Sequence, residues 1–161
     1  IAEDTKVTHV KPHGALNNMS SESKDIAKAI TRGIYGVDKN LILVAVAGSF
    51  LFDSGIRCGL KVASEAYADR SYEDDGNMTS RKFDHAMIHD AKKATEQVKS
   101  IVLDGIIVAN SGKKIPVSVD TICIHGDEPT GPKIALAVKE MLDKEGIIIQ
   151  RLPEMNLQKG N

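Results

Sequence analysis

The chain has 161 residues, 42% of them hydrophobic and 27% charged, with a formal net charge of −1. That is enough chain for one domain with a real core, and too little net charge for a strong field toward nucleic acid or anionic lipid. Tryptophan is absent and aromatic content is 4%, which argues against a base-stacking surface; no apolar run approaches the ~20 residues that cross a bilayer, so neither nucleic acid nor a membrane is an expected partner.

The sequence opens on Ile1 rather than Met and is already strand-like by Val7, so a processed or absent upstream segment is expected. Residues 7–12 read as a buried strand. Asn17, Asn18 and the serines from Ser20 to Ser23 supply turn and capping chemistry, and a helix is predicted over 21–33, with Ile26, Ala29, Ile30 and Ile34 inward and Gly33 and Gly36 ending it. After a turn at Asp38, residues 41–47 form a continuous apolar run typical of a strand covered on both faces. A short helix to Gly59 and a strand over 60–70 follow. Residues 70–80 are a polar loop with a tight turn at Asp75-Gly76, and such loops often cover a site.

Asp90 starts a helix over 91–103, stopped by Gly105. Residues 106–108 and 114–117 flank Asn110-Ser111-Gly112-Lys113, a hairpin signal. A strand over 119–127 precedes Pro129 and Gly131-Pro132, then a helix to Glu145 with Ile134, Val138, Met141 and Leu142 inward. Residues 147–149 read as a last strand, and 153–161 as a polar tail. The order of strands and helices is that of a single α/β domain with a parallel sheet. No secretory leader is visible. Cys58 and Cys123 show no metal-ligand spacing, so reduced thiols and a cytoplasmic location are expected.

Side chains alternate across a strand. One face therefore carries Lys11 and His13; Glu65, Tyr67 and Asp69; and Cys123, His125 and Asp127. These polar faces converge at strand C-terminal ends, where parallel α/β folds place their sites. His13 and His125 suit proton transfer, substrate binding or metal ligation, and Asp127 could orient an imidazole or share a cation. A helix-capping turn is the plainer role for Asp127. Lys11 on a core strand needs a carboxylate partner such as Glu65 or Asp69, or else it binds a substrate carboxylate or phosphate. Arg70 offers a second cation. His9, His85 and His89 read as structural or exposed, and Cys123 as a core residue. Neither a P-loop nor a dinucleotide fingerprint is present.

Three stretches resemble the LamB/YcsF family: Val10-Lys11-Pro12-His13-Gly14-Ala15-Leu16; Glu65-Ala66-Tyr67-Ala68-Asp69-Arg70 with Tyr72 and Asp75-Gly76; and Asp120-Thr121-Ile122-Cys123-Ile124-His125-Gly126-Asp127. Ile88-His89-Asp90 fits a weaker motif. Asn17 stands where the family usually has Tyr, and His85 where it usually has Gly. The resemblance covers residues 5–150 and is to the C-terminal two thirds of the family. It implies a parallel (β/α) barrel of seven strands, similar to polysaccharide deacetylases, whose N-terminal strands lie outside this sequence.

The resemblance further implies ATP-dependent opening of 5-oxoproline (pyroglutamate) to L-glutamate, together with partner subunits B and C. In such a site His13, Glu65, Asp69, His125 and Asp127 would be catalytic, and Lys11 and Arg70 would bind substrate or phosphate. A divalent metal, if used, would fall to His13, His125 and Asp127. The alternatives are a metal-dependent deacetylase-like hydrolase of a small amide or carbohydrate, and a non-catalytic binding subunit or fragment completed by another chain or by self-association.

Overall fold

The structure is a computed structural model and describes residues 6–160. The single domain expected from the sequence takes the form of two compact units, residues 6–64 with 150–160, and Glu65–Ile149.

In the first unit, β1 (His9–Val10) pairs in parallel with β2 (Ile42–Val46), which lies beside β3 (Lys61–Tyr67). Alternation gives β2 two apolar faces. Leu43 and Ala45, with Val62 of β3, pack against Ala27, Ile30 and Ile34 of α2 (Lys24–Val37) and Leu51, Phe52 and Ile56 of α3 (Phe50–Arg57). Ile42 and Val44, with Ala63, pack against Leu152, Met155 and Leu157. The segment from Pro153 is thus no free polar tail: its sparse apolar residues are anchored, and β7 (Gln158–Lys159) pairs antiparallel with the start of β3.

Where turn and capping chemistry was expected from Asn17, Asn18 and Ser20 to Ser23, a further helix forms, α1 (Gly14–Glu22). The hydroxyls of Ser20 and Ser21 fold back onto the Asn17 carbonyl at 2.9 and 3.0 Å, so the polar side chains are satisfied within the helix rather than competing with it. Ser23 then caps α2, accepting from Ile26 N–H. Gly33 and Gly36 do not stop α2. Each lowers helix propensity by only about 1 kcal/mol, and the amphipathic face carries the helix through to Val37.

In the second unit the end of β3 runs parallel to β6 (Thr121–Cys123), with Glu65 opposite Thr121 and Tyr67 opposite Cys123. Two helices cover this pair. Ala94 and Val98 of α4 (Ala91–Lys99) and Ile134, Val138 and Leu142 of α5 (Gly131–Lys144) enclose Ala68, Ile122 and Ile124. Asp90 caps α4 by accepting from Lys93 N–H at 2.9 Å, and Gly105, at φ 66°, ends the helical run. The expected hairpin forms as β4 (Ile106–Val108) and β5 (Lys114–Pro116).

Three strand expectations are corrected. Of the buried strand expected over 7–12 only His9–Val10 forms, with His9 exposed. β6 ends at Cys123 rather than reaching Asp127, and 147–149 are not a strand. Ile148 and Ile149 are 81% and 64% exposed. A β-branched run becomes a strand only where a neighbour pairs with it, and among the described residues none does. No helix among the described residues is long and apolar enough to cross a membrane.

Candidate functional site

Asp69 and His125 meet because β3 and β6 share a register. Tyr67 faces Cys123, and two residues further along each chain the pairing brings Asp69 to His125. The carboxylate makes both available contacts. Asp69 Oδ2 accepts the His125 backbone N–H at 2.7 Å, and Oδ1 lies 2.9 Å from ring Nδ1. The Asp69 side chain is 2% exposed and that of His125 19%. Tyr67 stacks on the imidazole, with ring centroids 5.6 Å apart and planes 21° from parallel.

An ionised Asp69 can only accept, so it selects the tautomer with hydrogen on Nδ1. Nε2 is left with its lone pair. A carboxylate behind an imidazole whose outer nitrogen is open is an arrangement for taking and returning a proton.

The end of β3 is held by further bonds. The Tyr72 hydroxyl accepts from Tyr67 N–H at 2.8 Å, and burial pushes the Tyr72 phenol well above its ordinary pKa. Ile88 N–H donates to the Asp69 carbonyl at 2.9 Å. Gln97 Nε2 donates to the carbonyls of Tyr67, Ala68 and Arg70 at 2.8, 3.2 and 2.9 Å. No sequence signal singles out Gln97, a polar residue on an amphipathic helix. Tyr72 and Ile88 stand inside motifs to which no role was attached.

The remaining candidates are placed differently. Arg70 is 4% exposed, and its guanidinium donates to Thr79 O at 2.6 Å and Ala86 O at 3.3 Å. Burial lowers its pKa from the ordinary value, and the Arg81 charge lowers it further. Its contacts pin the 70–80 loop rather than present a cation to substrate. The loop itself is tied to the hairpin, since Asn110 N–H donates to Tyr72 O and Asn110 Nδ2 to Thr79 Oγ1.

Glu65 is buried on β3. Asp127 does not share the strand face of His125, because β6 has already ended; it lies exposed in the turn before α5. Lys11 and His13 belong to the first unit. Lys11 is half-buried just past β1, rather than fully buried as its place on a core strand suggests, and His13 is exposed at the N-cap position of α1 without capping it. The first unit also has an open groove of about 580 Å³ beside the N-terminal ends of its strands, lined by Lys6, Thr8, Ile42, Lys61 and Arg151 among others. It contains none of the residues selected from sequence.

Metal ligation by His13, His125 and Asp127 is the remaining expectation. Among the described residues no three His, Cys, Asp or Glu side chains gather in a group that could hold a metal ion. With Nδ1 committed to Asp69, His125 offers one further ligand atom, and these residues do not make a metal centre by themselves.

The comparisons with known proteins agree with one another. The model of the LamB/YcsF family matches residues 1–157. A Natranaerobius thermophilus protein, named as the A subunit of 5-oxoprolinase, is 42% identical over 151 residues, covering 94% of this chain and 59% of its own length. One of the same name from Staphylococcus carnosus is 45% identical over 149 residues, covering 92% and 59%. The crystal structure of a lactam utilization protein from Thermus thermophilus superposes with a TM-score of 0.83 at 33% identity, covering 92% of this chain and 59% of that one. The chain therefore spans about 59% of the length of these relatives.

Proposed function

The chain belongs to the LamB/YcsF family, and on that premise we propose that it carries the proton-transfer pair of the A subunit of a 5-oxoprolinase. The whole protein would open the lactam 5-oxoproline to L-glutamate with ATP, in the cytoplasm and in company with subunits B and C. The relatives' names support the substrate and the multi-subunit character, and the lactam utilization protein supports the class of bond. The seven-stranded deacetylase-like barrel belongs to the same reading, as the fold of the complete subunit.

A lactam carbonyl is a poor electrophile, because its nitrogen lone pair is delocalised onto oxygen. Transfer of the γ-phosphoryl group of ATP to that oxygen, releasing ADP, makes the ring carbon electrophilic. Water then adds to the carbon, the C–N bond breaks, and the nitrogen leaves as the amine of a γ-glutamyl phosphate. A second water attacks the same carbon, the bond from that carbon to the bridging oxygen breaks, and L-glutamate and inorganic phosphate are released. Two waters are consumed per ATP, and the phosphate departs with the lactam oxygen.

The observation that carries the reading is the Asp69–His125 contact at 2.9 Å. His125 Nε2 takes the proton from water and returns it to the leaving nitrogen, a contribution on the order of 10²–10⁴ in rate. Tyr67 supplies a flat wall beside the imidazole, and Lys11, in the first unit, is kept as a candidate for binding carboxylate or phosphate. His13, Glu65 and Asp127 remain candidates for further proton transfer or substrate contact, while Arg70 acts through the loop it holds.

The test is isotopic. With 5-oxoproline labelled with oxygen-18 at the ring carbonyl, each turnover of the assembled enzyme should place one label in inorganic phosphate. Glutamate formed with no ATP consumed and no label in phosphate would remove the phosphorylation step and return the reading to direct, ATP-independent amide hydrolysis.

A further inference from the structure

The C-terminal end of β3 is fastened more thoroughly than a strand end requires. The carbonyls of Tyr67, Ala68 and Arg70 all converge on one amide nitrogen, Gln97 Nε2. The carbonyl they leave out, that of Asp69, accepts from Ile88 N–H at 2.9 Å. A side-chain amide has two N–H hydrogens, so three acceptors share them. Only its nitrogen end can face three carbonyls, which fixes the orientation of the group. The consequence falls on the residue enclosed. With the carbonyls on both sides tied to α4 and its own tied to Ile88, the backbone at Asp69 is restrained from three directions, and its carboxylate is held against the backbone N–H and Nδ1 of His125.

We propose that Gln97 is a positioning residue. It holds the end of β3 so that Asp69 stays on Nδ1 and Nε2 stays the open nitrogen of His125. This rests on the proton-transfer reading of the pair. Gln97 touches no reacting atom, and its influence runs through the Asp69 backbone. Displacing a catalytic group by about 1 Å can cost on the order of a hundredfold in rate, which is the leverage such a clamp has.

The experiment follows the ring rather than turnover alone. In the intact protein, nitrogen-15 NMR of the His125 imidazole should show hydrogen on Nδ1. In Gln97→Leu, which keeps the volume and removes both donors, the ring should populate both tautomers and the His125 amide should exchange faster with solvent. In the assembled enzyme kcat should fall on the order of ten- to a hundredfold with KM little changed. Gln97→Asn keeps the donors on a shorter arm and should fall between, and it decides the matter if the leucine variant does not fold.

A wild-type ring with hydrogen on Nε2 would overturn the proposal without any variant. So would tautomer and exchange behaviour in a folded variant that match wild type. If the ring responds but His125→Asn keeps full turnover, the clamp stands and the catalytic reading of the pair falls.

Discussion

At the scale of single residues, one carboxylate decides what His125 can do. Asp69→Asn preserves size but offers one accepting oxygen where two contacts are made; the other atom is a donor facing a donor. The imidazole should respond by moving its hydrogen to Nε2, which removes the open nitrogen. Turnover of the assembled enzyme should drop on the order of 10²–10⁴-fold while the fold persists, and a variant within a few-fold of wild type would leave the pair a structural contact.

The loop that covers this end of β3 has its own charge device. Asp75 accepts from Asn77 N–H and Nδ2, both at 2.9 Å, and these bonds hold its carboxyl below the ordinary pKa. Because the folded pKa is depressed, the stabilisation is complete above the ordinary aspartate value, roughly 4, and is lost as pH falls through the depressed one. Carbon-13 titration of the Asp75 carboxyl should give a midpoint below that of an unstructured aspartate, and Asn77→Gly, which removes the side-chain bond and keeps the backbone one, should move it part of the way back up. A midpoint at or above the ordinary value would show that the turn does not bond the carboxylate in solution.

At the scale of elements, α5 begins against the residue it serves. A Cβ on Gly131 would collide with the backbone carbonyl of His125, whereas one on Gly126 would meet nothing within 4 Å. A backbone oxygen cannot swing aside as a side chain can, so Gly131→Ala must shift either the start of α5 or His125. The expected result is about 1–3 kcal/mol of destabilisation and a loss of kcat, with Gly126→Ala near neutral in both. Equal behaviour of the two variants, by denaturant titration and steady-state kinetics, would mean that the helix start yields freely.

The same elements show what periodicity can and cannot convey. The cores of α2, α4 and α5 were legible, since Ile30, Val98, Ile134 and Val138 recur at helical spacing and do face inward. α1 was not, because its asparagines and serines favour turns in isolation, and the bonds from Ser20 and Ser21 to the Asn17 carbonyl that reconcile them to a helix form only once the helix has formed. Strand ends were misjudged at β6 and at 147–149 for one reason: a strand stops where its neighbour stops, and a single sequence does not display its neighbours.

At the scale of the molecule, alternation put Asp69 and His125 on one polar face, but their pairing was not legible. The sequence offered Asp127 as the imidazole's partner and Asp69 as a partner of Lys11. The burial of Arg70 and the exposure of Asp127 depend on loops that obey no period. Two of the hydrophobic clusters permit a last prediction. Gly55 of α3 lies against Leu43 and Val62, where an added Cβ would come within 2.7 and 2.8 Å of their methyl carbons. Ile134 is 1% exposed among Ala68, Ala94 and Val138. Gly55→Ala overfills its core and should cost about 1–3 kcal/mol. Ile134→Ala empties the other and should cost about 2–5 kcal/mol. The two clusters have no residue in common, so neither substitution removes a partner of the other. Energies of sites without shared partners add to within about 0.5 kcal/mol, and the double variant should unfold at the sum of the single costs. The measurement is a double-mutant cycle by denaturant titration. A coupling beyond about 1 kcal/mol, of either sign, exceeds that tolerance; strain in one core would then relax through the packing of the other, and the two clusters would have to be treated as a single core.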